Sequence, residues 1–162
     1  METAVLLCQA GGLALLAAWL SVALSDNWRH PEINEQFTRE VLSLSRIERD
    51  FPGVLALVGR RRILHPGIQR SVFIAIVVAE TLVVMLLWLA TAGLIGAAAG
   101  LVDPVSARVL GMGGAFGFVA IWAGFVIAGN YFCYWLCHEG AQNTHFQLLL
   151  WGMSMLLLLG LA

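Results

Sequence analysis

Apolar residues dominate four stretches of the chain and leave one long polar segment between the first two. Thr3 to Leu24 carries no charged side chain, Ser71 to Gly100 carries only Glu80, and Val109 to Trp135 and Thr144 to Ala162 carry none. A helix needs about 20 apolar residues to cross the hydrocarbon core of a bilayer. Each stretch reaches or nearly reaches that length, so the pattern predicts an all-α polytopic membrane protein. Its single domain would have four transmembrane helices, at about 3–24, 71–100, 109–135 and 144–162. The first stretch is read as a retained helix rather than a cleaved signal. Its only early charge is Glu2, and Ala23-Leu24-Ser25 makes a weak cleavage site.

Residues 25–70 form the long first loop and hold eight of the nine Arg together with six acids. Within them Ile33, Phe37, Val41, Leu44, Ile47 and Phe51 recur every three or four positions, which marks one face of a helix. Pro31 suits a first helical turn, and Pro52-Gly53 ends the run. Glu35, Arg39, Arg46, Arg49 and Asp50 fall on the other face. The expectation is an amphipathic helix of about five turns. It would cap the bundle rather than lie in the membrane interface, because its polar face is not especially basic.

Composition agrees with a bilayer environment. Apolar residues make up 60% of the 162 positions and charged ones 12%, about half the roughly 25% of soluble domains. Mean hydropathy is +0.85. A net charge of −1 and the absence of Lys exclude the basic face that nucleic-acid binding requires. The partners expected are the lipid bilayer and other membrane protein subunits. Small residues supply the means of helix packing: Gly113, Gly117, Gly124 and Ala128 repeat along the third span, and Gly96 and Gly100 end the second. Lipid gives helices no hydrophobic drive to associate, so close approach over such a ridge supplies contact instead. An intramolecular seam is the expected use.

Alternating helix direction brings the 25–70 loop and the short 136–143 loop to one side, and with them His30, His65, His138 and His145. Cys133, Cys137 and Glu139 come to that side as well, the two cysteines sharing a helical face. Imidazole, thiolate and carboxylate are the usual ligands of zinc, copper and iron. Cys-x3-Cys-His-Glu nevertheless matches no familiar ligand spacing, and no metal or other cofactor is predicted. Should a metal bind, the candidate ligands are His30, His65, Cys137, His138 and His145.

Glu80 stands out more. An ionisable group in a span costs about 2.5–3.5 kcal/mol on insertion scales, so it marks a functional site or a paired polar group. Asn130, Tyr131 and Tyr134 end the third span on the same side and are its expected hydrogen-bond partners. Interhelical glue is the favoured role; a proton or cation relay is the other, weakened because one carboxylate makes a poor pathway. No nucleophile-and-base set or carboxylate pair is present, so an enzyme is not expected.

Arg39-Glu-Val-Leu-Ser-Leu, Phe51-Pro-Gly, Arg62-Ile-Leu-His-Pro, the Glu within the second span, Gly129-Asn-Tyr-Phe-Cys-Tyr-Trp and Gly140-Ala-Gln-Asn-Thr-His-Phe-Gln together cover nearly the whole chain. In these motifs the sequence resembles the bacterial predicted small integral membrane protein family, domain of unknown function 2165. The resemblance carries no activity, cofactor or site residue with it. Two departures are visible: Asp26-Asn27 matches the family's Asn and Asp only loosely, and Arg108 alone stands where the family has a basic middle loop.

The Arg bias places the 25–70 loop in the cytoplasm by the positive-inside rule, whereas the family's basic N-terminus and middle loop imply the reverse. An Arg-only, Ala- and Gly-rich composition fits the inner membrane of a bacterium. The function expected is that of a non-enzymatic accessory or assembly subunit of a larger membrane complex. The alternative is a metal- or proton-handling protein using Glu80 and the His/Cys cluster.

Overall fold

The computed structural model describes residues 1–161, and among them the only regular elements are helical. In chain order these are α1 (Glu2–Arg29), α2 (Pro31–Ser43), α3 (Ser45–Asp50), α4 (Pro52–Val58), a 3-10 turn (Gly59–Arg61), α5 (Pro66–Ala98), α6 (Pro104–Tyr131), α7 (Tyr134–Cys137) and α8 (Glu139–Gly160). All four prolines open a helix, where a fixed φ is an advantage and a missing N–H costs nothing. His65 adds a cap to α5, its Nδ1 accepting from the N–H of Gly67 and Ile68 at 3.1 and 3.4 Å. Asp103 caps α6 by accepting from the Ser106 N–H at 2.8 Å.

The four long helices run antiparallel, α1 beside α5, α5 beside α6 and α6 beside α8. Leu13, Leu16, Leu20, Leu87, Leu94 and Phe118 are fully buried at the centre. Gln9 closes the ring: its side-chain amide donates to the carbonyls of Leu158 and Leu161 at 2.9 and 3.2 Å. It thereby adds a second donor to the Leu158 carbonyl, which already accepts from the Leu161 N–H at 3.4 Å, and gives the Leu161 carbonyl a partner. Arg108 Nε donates to Gln9 Oε1 at 3.2 Å and approaches Glu2 at 3.8 Å, so one end of the bundle has its own polar latch.

Outward-facing positions are apolar too, with Leu15, Val22, Leu82, Leu89 and Ile127 exposed. Helices apolar on every side belong in lipid. By length and composition three of them, α1, α5 and α6, can cross a membrane. The expectation of four spans therefore meets three candidates. In α8 the residues Gln142, Asn143, His145 and Gln147 crowd the first turns and lower its hydropathy. The long helices also extend past the expected limits, α1 to Arg29 and α5 back to Pro66.

The expected single amphipathic helix is broken. Leu44 takes a left-handed conformation (φ 54°) and divides the run into α2 and α3, and Phe51 divides α3 from α4. The turn at Leu44 lets Val41, Leu42, Leu44 and Ile47 all pack against Phe132, Cys133 and Tyr134 in a second, smaller core. Ile33 and Phe51 lie off that packed face, 64% and 38% exposed. Arginines bind the breaks. Arg62 Nε donates to the Ser43 carbonyl at 2.9 Å, Arg61 to that of Tyr131 at 2.8 Å and Arg46 to that of Cys137 at 3.1 Å. Each of these carbonyls lies at a helix C-terminus, where a cation meets both free acceptors and the negative end of the helix dipole.

Candidate functional site

At the end of the bundle covered by α2 lies a cavity of about 460 Å³. Its mouth is formed by Asp26, Asn34, Gly140 and Thr144, all exposed, and its depth by Glu80, Trp122 and His145. Glu80 is 4% exposed and accepts at Oε2 from the Asn27 side-chain amide at 2.8 Å. Asn27 Oδ1 in turn accepts from Asn34 Nδ2 at 2.6 Å. An amide chain thus joins the cap, α1 and α5, ending on the one side-chain carboxylate buried in the bundle among the described residues.

The expected partners of Glu80 require a correction. Asn130 and Tyr131 are exposed and make no bond to it, because the last turn of α6 points them away from the bundle axis. Cys133, left-handed at φ 60°, then reverses the chain and returns Tyr134 to the interior, where it lines the cavity beside Glu80. Asn27 was hidden from a reading of apolar runs, which ended the first span at Leu24. A helix continued through Arg29 places it on the buried face.

The candidate metal ligands are dispersed. His30 lies 3.7 Å from Glu32 at the surface, and His65 is spent on the α5 cap. His138 is packed between the rings of Phe37 and Tyr134, with Arg46 Nη1 3.4 Å from its Nδ1. Burial first, then the Arg46 charge, holds this imidazole below its ordinary value of 6.5, against a smaller opposing pull from Glu40. Burial chiefly, with Asp50 next, pushes the Cys137 thiol up. His145 stacks on Phe125 and Trp122 at centroid distances of 4.7 and 5.3 Å. Among the described residues no three His, Cys, Asp or Glu side chains gather as a metal would need.

The glycines divide likewise. A Cβ on Gly117 would lie 2.9 Å from Val83 and one on Gly96 3.0 Å from Val102, whereas Gly113 keeps an ordinary 3.9 Å from Leu86. Gly124 and Gly100 face open space, and Gly100, at φ +75°, serves the turn between α5 and α6. Close approaches also fall on glycines outside the expected ridge, and at Gly114 the neighbour met includes helix backbone. At Gly114 a Cβ would meet the Leu87 backbone at 3.5 Å, and at Gly152 it would meet Val119 at 2.7 Å.

The family described as Predicted small integral membrane protein (DUF2165) matches the chain over residues 5–162. The chain belongs to this family. No curated protein and no solved structure matches it. Membership makes the chain an integral membrane protein, in accord with its three candidate spans, and attaches no reaction to it. The matched range takes in the whole cavity and the polar latch from Gln9 to Arg108. Gln9, fully buried, is this family member's second polar site, and a single amide within an apolar run was the only sign of it in the sequence.

Proposed function

We propose that the protein is a non-enzymatic, four-span protein of the bacterial inner membrane, serving as an accessory subunit of a larger membrane complex. The observation that supports this reading is the outer face between α5 and α6. There Ala79, Gly117, Ala120, Gly124 and Ala128 line an open apolar groove of about 670 Å³. Small residues along two adjacent helices let a third backbone approach closely, and in lipid such contact replaces the hydrophobic drive available in water. The occupant proposed is a transmembrane helix of a partner subunit. Packing of α8 along α6 and its anchoring by Gln9 support the fourth crossing. Eight Arg in residues 25–70 favour a cytoplasmic side for α2 to α4.

Gly124→Leu tests the docking face without touching the fold, since a Cβ there meets nothing within 4 Å. The variant is expected to keep the parent's thermal stability in detergent and to lose whatever membrane protein co-purifies with the parent after crosslinking. Unchanged co-purification would contradict the proposal.

A further inference from the structure

We infer that the cavity beneath α2 is a binding site for a small organic cation, an amine or quaternary ammonium compound. Its charge is one-sided. Among the described residues the charged ones lining it are Asp26 at the mouth and Glu80 in the depth, with no Arg. Glu80 uses Oε2 on Asn27, and among the described residues its other oxygen makes no hydrogen bond. A carboxylate so placed attracts a cation and offsets part of the cost of taking it out of water.

The walls decide between an organic cation and a metal ion. Phe73, Trp122, Phe125 and Tyr134 line the same space, and aromatic faces attract a cation that keeps an apolar shell around its charge. A bare metal ion would need several oxygen, nitrogen or sulfur ligands at close range, and the described residues gather no such set. At about 460 Å³ the space is of the size that takes small molecules.

Calorimetric titration of the full-length protein in detergent tests the inference with choline, and with benzylamine against its uncharged counterpart benzyl alcohol. Choline and benzylamine should bind saturably, and benzyl alcohol about tenfold more weakly or not at all. Glu80→Gln should weaken choline by about tenfold or more, with circular dichroism and thermal unfolding confirming that the variant is folded. If that variant does not fold, the comparison of benzylamine with benzyl alcohol on the parent decides alone. Equal binding of the two would overturn the proposal in favour of a merely apolar cavity. No saturable binding of either amine up to millimolar concentration would overturn it too, as would calcium or zinc displacing choline stoichiometrically.

Discussion

Gly114→Leu is expected to split the contact between α5 and α6 and to lower stability by about 1–3 kcal/mol, the usual cost of overpacking. A Cβ at this position would already lie 3.1 Å from Leu87 Cδ2 and 3.5 Å from the Leu87 Cα and N. The side chain of Leu87 could rotate away, but its backbone belongs to α5 and can yield only by moving the helix. The remaining atoms of a leucine would therefore force the helices apart over the fully buried Leu87. Thermal unfolding in detergent should show a clear drop in midpoint. Gly113→Ala, one residue away with 3.9 Å of clearance from Leu86, should behave like the parent. Equal midpoints for the leucine variant and the parent would remove the close α5–α6 approach from the account.

Glu80→Leu should be the second large effect. The substitution deprives the Asn27 amide of its acceptor at 2.8 Å in the bundle interior. Leaving a buried polar group unpaired costs about 1–3 kcal/mol, although hydrogen bonds between helices in lipid are often worth less, about 0.6 kcal/mol on average. Asn34 would lose its support as well, since its bond to Asn27 depends on the orientation that Glu80 fixes. Glu80→Gln retains a carbonyl that can accept from Asn27 and should stay close to the parent. Equal stability of all three proteins would show that Glu80 does not hold the helices together.

Much of this architecture was legible because lipid imposes a simple demand: long, uncharged, apolar runs become helices. Thr3–Leu24, Ser71–Gly100 and Val109–Trp135 each lie within or largely overlap a long helix for that reason. The details that escaped depend on direction rather than composition. Whether Gly113 or Gly114 carries the close contact turns on about 100° of rotation around α6, and a repeat of small residues does not set that angle. Leu44 fits a helical period perfectly well, yet the pull of Phe132 and Tyr134 on both sides of the break favours a left-handed residue there. Glu80 was visible as a charge in an apolar run. Its partner was not, because Asn27 lies beyond the apolar stretch and becomes interior only once α1 runs on to Arg29. The arginines read as a topology signal, and three of them also close helix ends that no pattern in the sequence announces.

We propose that α8 completes the bundle as a crossing helix, with His145 in the cavity and its other end against Gln9. Single cysteines at Gln36 and at Leu161, in a protein whose own three cysteines are replaced, test this directly by labelling intact cells with a membrane-impermeant maleimide. The account predicts that Leu161 is labelled from outside and Gln36 only after lysis, the two lying on opposite faces. Labelling of both from the same side would contradict it, because α8 would then not cross.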